Sequence, residues 1–392
     1  MMSGDGLVMR LRPRLACFTR AQILAICEAA SRHAAGLIDL TSRANLQVRG
    51  VAEANWPLLC DVFAGLGLLD DSVEREARRN LLVAPDWKPG DDTERIATEL
   101  IARLDELPDL PAKVGFAIDA GAGLRLRHDS ADFRIERGAH GGLILRAQGR
   151  ASGVAVTAAE AVDALIALAH WFADSGGRAA GRMARHAAAL PAWAAGSLCP
   201  AADAWAMAHE SMPGPLFSLP FGQVAAATLA RAVVDSGAVA VRITPWRKLL
   251  LEGAQHDTGG GLLASDAACV EAASAAGWRV EACAGALFCP QASVATRPLA
   301  LRLLRLAAEA GRGITAFDGR QSGGAGTPQR VLHVAGCAKA CAYAGEAAIT
   351  AVGRAGAFDL SLREGAAPTR IAGLDADAVL ARCERVVRHC SA

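Results

Sequence analysis

Residues 38–50 read IDLTSRANLQVRG, and apolar and polar positions alternate through most of the stretch. Ile38, Leu40, Ser42, Ala44, Leu46 and Val48 fall on one face of an extended chain, and Asp39, Thr41, Arg43, Asn45, Gln47 and Arg49 on the other. That is the period of two expected of a half-buried strand. Just ahead, TRAQILAICEAASRHA changes period: Ile23, Ile26, Cys27 and Ala30 recur at helical spacing, and Thr19 stands where its hydroxyl can cap the first turn. The pattern predicts a helix followed by one half-buried strand.

The same rhythm returns in the second half. Laying Phe18–Gly50 over Phe221–Gly253 without a gap puts Thr41 on Thr244, Leu46 on Leu249 and Gly50 on Gly253. A second pair of segments, starting at Lys113 and at Arg330, each reads as a strand, a glycine-rich turn and further strands. RRNLLVAPDW (78–87) and EACAGALFCPQ (281–291) precede them, each followed by a helical run. A duplicated α+β chain is the economical reading. Its predicted spans are a small unit at 1–75, a lobe at 76–195, a second small unit at 200–258 and a second lobe at 262–392. Pro and Gly interrupt the periodicity at 187–202, 254–265 and 319–329, the probable joins and loop.

At 392 residues the chain exceeds one ordinary core. Hydrophobic residues make up 52% and charged residues 21%, with a formal net charge of +1. Neither a polyanion-binding surface nor an acidic disordered tail fits that balance, so no nucleic-acid partner is expected. The first residues lack the charge and apolar pattern of a secretory signal, and no apolar run reaches bilayer length. A cytoplasmic protein without membrane association is expected.

In a reducing compartment the eleven cysteines are buried thiols or metal ligands rather than disulfides. Spacing singles out four, Cys283-x5-Cys289 and Cys337-x3-Cys341. Zinc sites present closer pairs, whereas iron–sulfur clusters take four thiolates at several spacings in poorly solvated, amide-rich pockets. The flanks here are Gly, Ala, Leu and Phe, and Gly285 and Gly336 leave backbone amides able to approach sulfide. A [4Fe–4S] cubane is the expected occupant. The corresponding part of the first lobe has no thiol, so one lobe is expected to hold metal and its twin not. Cys17, Cys27, Cys60, Cys199, Cys269, Cys383 and Cys390 read as ordinary small hydrophobes.

CAGALFCP and GCAKAC resemble the cysteine motifs of the sulfite and nitrite reductase superfamily. LTSRANLQVRG is similar to that family's Thr-x-Arg-x-x-x-Gln strand, RRNLLVAP to its Arg-Asn segment and LPAKVGFAI to its lysine-bearing strand. The resemblance spans nearly the whole chain. It implies a duplicated architecture of two ferredoxin-like half-repeats and two α/β lobes, the second binding the cluster through Cys283, Cys289, Cys337 and Cys341. Cys341 would face the neighbouring tetrapyrrole. GDGLVMRLRPR and HVAGCAKAC fit a compact, cobalamin-pathway branch of the superfamily more closely than the assimilatory reductases. That branch implies oxygen-dependent hydroxylation of precorrin-3A with lactone closure, an external electron donor and a second, mononuclear iron. The alternative is a sulfite or nitrite reductase with resident sirohaem.

Either tetrapyrrole is fringed with carboxylates, which guanidinium forks suit in bidentate geometry. Arg12, Arg43, Asn45, Arg49, Arg79, Asn80, Lys113 and Lys339 are the candidate substrate ligands, with Arg43, Lys113 and Cys341 at the reacting centre. Arg10 and Arg14, alternating with Arg12, are read evenly as site or solvent face. Trp246 reads as core packing, and His333 either as a core residue or as a ligand of the second iron.

Overall fold

The computed structural model describes residues 2–203, 212–254, 261–310, 330–363 and 368–389. The loop read at 319–329, residues 255–260 of one join and Cys390 lie outside them. The first small unit contains β1 (Met2–Ser3), β2 (Gly6–Leu11), β3 (Cys17–Thr19), α1 (Arg20–His33), β4 (Leu37–Leu40), β5 (Leu46–Val51), α2 (Trp56–Gly65) and α3 (Val73–Arg78). The first lobe follows with β6 (Leu81–Val83), α4 (Asp92–Ala102), β7 (Phe116–Asp119), β8 (Phe133–Arg137), β9 (Leu143–Ala147), β10 (Val154–Val156), α5 (Ala161–Phe172) and the short α6 (Arg178–Ala180). The second unit repeats the first with β11 (Leu216–Ser218), β12 (Gln223–Ala225), α7 (Ala226–Asp235), β13 (Ala240–Ile243) and β14 (Lys248–Glu252). The second lobe has α8 (Leu262–Ala275), β15 (Trp278–Ala282), α9 (Arg297–Ala310), β16 (Arg330–Ala335), β17 (Ile349–Arg354), β18 (Ala357–Leu362), β19 (Thr369–Leu374) and α10 (Ala376–His389).

The duplication is visible strand by strand. The lobe sheets run β6-β7-β8-β9-β10 and β15-β16-β17-β18-β19, and in each the first two pairings are parallel and the last two antiparallel. The unit sheets exchange a strand. β12 pairs with β4 and β3 with β13, so each sheet is completed by the other copy. One hydrophobic core therefore serves both units, joining Ile23, Ile26 and Leu46 to Leu229, Val241 and Leu249. Burial of that shared apolar area resists separation of the repeats.

Local chemistry explains α1. Thr19 and Gln22 form a reciprocal capping box, and Ile23, Ile26, Cys27 and Ala30 turn inward to the core. The alternating stretch 38–49, however, is two strands. β4 and β5 pair antiparallel with Ile38 opposite Val48 and Leu40 opposite Leu46, and residues 41–45 make the tip. Thr41 Oγ1 accepts the amides of Arg43 and Asn45 at 3.3 and 3.2 Å, and Ala44 takes φ +51°. Because the chain folds back at that register, the facing of alternate residues survives the turn, which is why the pattern read as one strand. Arg43 consequently sits at a hairpin tip.

The second copy builds the same tip: Thr244 Oγ1 accepts the Lys248 amide at 3.1 Å and Arg247 has φ +58°. The gapless alignment needs one correction ahead of it. Leu15 and Phe221 both adopt left-handed φ, +52° and +55°, immediately before β3 and β12. They are the equivalent residues, and Phe18 matches Val224. α1 begins seventeen residues before β4 and α7 fourteen before β13, so the second copy is three residues shorter there.

Each unit clasps a lobe through a buried ion pair. Arg49 binds Asp5 at 3.0 Å and Asp39 at 3.3 Å, donates to Phe288 O at 3.2 Å and lies over the Phe288 ring. Arg297 joins the same group through Asp39 at 3.2 Å. In the second unit, the residues matching Asp39 and Arg49 are Arg242 and Glu252. Arg242 binds Glu252 at 2.8 Å, donates to Pro85 O and Trp87 O, and covers the Trp87 ring at 4.0 Å.

Candidate functional site

Two turns at the ends of β15 and β16 carry the four thiols. Cys283 follows β15 directly, and its amide donates to Val334 O at 3.2 Å. Cys289 closes a turn through its amide to Gly285 O at 2.9 Å, and Ala340 N–H donates to Cys337 O at 3.1 Å in the other turn. The Gly336 amide points at sulfur, donating to Cys283 Sγ at 3.1 Å. A Cβ at Gly336 would come within 2.6 Å of Ala292 Cβ, and one at Gly285 (φ +76°) within 2.5 Å of Thr296 Oγ1. Glycine is required at both. Leu287 (φ +72°) and Ala340 (φ +48°) are non-glycine residues in the left-handed region, one in each thiol turn. Such conformations cost about 1–3 kcal/mol each and collect at functional sites.

The fourth thiol lies within electrostatic reach of the other three. The exposed Cys341 thiol is pushed up by burial first and then by Cys283, Cys337 and Cys289. Among the described residues, no three His, Cys, Asp or Glu side chains lie close enough together to hold a single metal ion. A cubane places each thiolate on a different iron, so its ligands stand farther apart than those of one ion. A thiol that feels the three others, a backbone N–H on sulfur and two obligatory glycines fit such a group.

The first lobe carries other residues at the matching positions. Ala84 N–H bonds Ile118 O as Cys283 N–H bonds Val334 O, which places Ala84 on Cys283 and, counting along β7 and β16, Ala120 on Gly336 and Arg125 on Cys341. In that place Arg125 pairs with Asp86 at 2.8 Å, and its amide and that of Leu126 donate to Asp119. Burial, reinforced by Asp86 and Glu136, pushes the Asp119 carboxyl up to about 7.

A cationic cleft lies beside the first hairpin tip, lined by Arg43, Asn45, Asn80, Lys113, Gly115 and Ser130. Among the described residues, Arg43 is held only by carbonyls, Ala112 O at 3.5 Å and Lys113 O at 3.3 Å. Asn80 donates to Ala112 O and Val114 O at 3.1 and 3.2 Å, fixing the lysine-bearing turn. Arg10 is lowered by burial and then by Arg12 and Arg43, so these cations crowd one another. The adjoining central cavity, about 660 Å³, is lined by Ser42, Asp129, Trp246, Lys248, Glu281 and Ala342, the neighbour of Cys341. Ser42 and Asp129 line the cavity, and their chain neighbours Arg43 and Ser130 line the cleft.

The structure thus brings Arg43, Asn45, Asn80 and Lys113 together and places Ala342, the residue after Cys341, in the lining of the adjoining cavity. Arg12 is half-buried and pairs with Glu76 at 2.6 Å. Arg79 is buried against Asp70 and Glu76, each at 2.8 Å, and Arg49 is spent in the clasp on Phe288. Lys339 is exposed between Cys337 and Cys341. Trp246 is half-buried, packs on the shared core and lines the cavity, its Nε1 donating to Asp129 at 3.2 Å. His333 is buried edge-on to Tyr343, and its Nε2 has no hydrogen-bond partner. Ser130, Asp129 and Arg182, which reaches Ser130 Oγ at 2.8 Å, were not marked by any motif. They enter through the fold of the lobe.

These features define a class. The family model described as the nitrite/sulfite reductase ferredoxin-like half domain matches residues 1–61. The solved structure of Mycobacterium tuberculosis NirA protein superposes with a TM-score of 0.56 at 17% identity, over 97% of this chain and 80% of that one. The fold is the duplicated nitrite/sulfite reductase architecture. Within that class, the chain is 28% identical to precorrin-3B synthase of Sinorhizobium sp. over 426 residues, 99% of this chain and 87% of that protein.

Proposed function

We propose that the protein catalyses the precorrin-3B synthase reaction of cobalamin biosynthesis, the oxygen-dependent hydroxylation of precorrin-3A with lactone closure by a ring acetate. The observation that carries this reading is the match along nearly the whole chain to a protein of that name. The cationic cleft at the hairpin tip, next to the cavity that Ala342 lines, supports it. In the balance of the reaction, one oxygen atom of O₂ enters the substrate and the other leaves as water, with an electron pair from an external donor.

Cys283, Cys289, Cys337 and Cys341 would hold a [4Fe–4S] cluster, which when bound supplies electron transfer. The chain's own part is orientation. Arg43, Lys113 and Asn45 receive carboxylates of the macrocycle, Asn80 holds the turn that carries Lys113, and Arg12 and Lys339 stand at the margins. Thr41 fixes the tip that presents Arg43. Binding from several sides lowers the entropic cost of reaching the reactive geometry. Arg43, without a carboxylate partner among the described residues, is free to take a substrate one. Charge-assisted forks of this kind are the stronger hydrogen bonds.

The test is anaerobic incubation with precorrin-3A followed by oxygen. A product carrying one added oxygen supports the assignment. Intense sirohaem absorption with reduction of sulfite or nitrite, and no oxygenated product, refutes it.

A further inference from the structure

We propose that Arg182 is a second carboxylate fork of the cleft, and that with Arg43 it clamps the neighbouring acetate and propionate of one pyrrole ring. This rests on the tetrapyrrole reading above. Arg182 follows α6, far in sequence from the hairpin tip, and nothing in its local sequence marks it.

The geometry is built. Asp132 is fully buried, and both its oxygens are engaged: Oδ2 accepts Gly115 N–H at 3.0 Å, while Oδ1 accepts Met183 N–H at 2.8 Å and Arg182 Nε at 2.9 Å. Arg182 Nη2 donates to Ser130 Oγ at 2.8 Å. Both anchors, Gly115 through its neighbouring Asp132 bond and Ser130 directly, belong to the cleft wall that also contains Arg43. Arg182 Nη1 makes no hydrogen bond among the described residues, and the side chain keeps 24% of its exposure. Nε and Nη2 fix the plane, and Nη1 is left to a ligand.

The two guanidinium groups feel each other. After burial, Arg182 is the largest influence lowering Arg43, opposed by Asp132. Two cations with one buried carboxylate between them form an arrangement completed by an incoming pair of anions. Acetate and propionate on adjacent carbons of one pyrrole supply such a pair, and a lone propionate supplies half of it. Bidentate arginine recognition is directional, so the clamp reads side-chain pattern as well as charge.

The experiment compares two porphyrins as carboxylate-fringe probes: uroporphyrin III, with an acetate beside every propionate, and coproporphyrin III, in which methyl replaces each acetate. Affinities are measured by fluorescence on the purified full chain, wild type and Arg182→Gln. Arg182→Lys is the second variant, because it keeps a cation on Asp132 and so guards against misfolding. Wild type is expected to prefer uroporphyrin by roughly tenfold or more, the value of one charged hydrogen bond. Both variants should bring that ratio close to one while coproporphyrin binding changes little. A ratio unchanged by either substitution, or a wild type that does not discriminate, overturns the clamp. Turnover of precorrin-3A by wild type is scored separately. If turnover occurs while the ratio is insensitive to Arg182, the clamp alone falls; if no tetrapyrrole binds at all, the functional reading falls with it.

Discussion

Asp39 and Arg242 occupy the same place in the two repeats and carry opposite charges. Asp39 holds Arg49 and Arg297 around Phe288, next to Cys289, whereas Arg242 holds Glu252 and covers Trp87 in the thiol-free lobe. The clasp is duplicated with its polarity reversed, and each unit clasps the lobe of the other repeat: the first reaches Phe288 and Arg297, the second Pro85 and Trp87.

Arg49→Ala leaves Asp5 and much of Asp39 buried without their cation. A destabilisation of about 3–5 kcal/mol is expected from breaking such a pair, read from urea unfolding. Porphyrin affinity of the folded fraction should stay within about twofold, because a single surface-distant substitution leaves the cleft contacts in place. A large affinity loss with unchanged stability would make Arg49 a ligand of the substrate instead.

Arg43→Ala removes the fork that, among the described residues, has no carboxylate of its own. Tetrapyrrole affinity should fall by about 1.5–3 kcal/mol, with little change in unfolding free energy. Isothermal titration with precorrin-3A under anaerobic conditions measures it, and an unchanged affinity removes Arg43 from the site.

Gly336→Ala drives a methyl into Ala292 and displaces the amide that donates to Cys283 Sγ. Overpacking of this kind costs about 1–3 kcal/mol. Iron and sulfide content should drop and cluster absorbance should bleach faster in air; full, stable cluster content would show that the close approach is not needed.

Asp119 links stability to pH. Its folded value, about 7, lies above that of an unfolded aspartate, so the folded state binds the proton more tightly. Its favourable contribution is complete below about pH 4 and disappears as pH rises through 7. Asp119→Asn keeps an oxygen for the Arg125 and Leu126 amides. It should therefore gain stability relative to wild type at pH 8, by about 1–4 kcal/mol, and gain roughly a third as much at pH 5. An equal effect at both pH values contradicts the origin given.

The amphipathic rhythm made the repeat, the capping box at Thr19 and the inward stripe of α1 legible, because each depends on neighbours within a few residues. The thiol motifs were legible for the same reason. The fold-back at Thr41–Asn45 was hidden because the even register leaves the alternation intact across the turn. Exchange of β3 and β12 depends on pairing between residues some two hundred apart, which no local pattern encodes. Arg49, Arg79 and Arg43 look alike in the sequence. Only the positions of Asp5, Asp70 and Glu76 separate the two arginines spent on buried carboxylates from the one left open to a ligand. Arg182 joins the cleft through Asp132, a partner fifty residues earlier.

Four thiols from two turns are proposed to hold one cluster in a protein whose hairpin tip carries a carboxylate-binding cleft. Iron and acid-labile sulfide analysis of anaerobically isolated protein tests it most directly. About four iron and four sulfide per chain are predicted, falling sharply on substitution of Cys283, Cys289, Cys337 or Cys341 by serine. Wild-type protein without labile sulfide, or a cluster indifferent to all four substitutions, would contradict it.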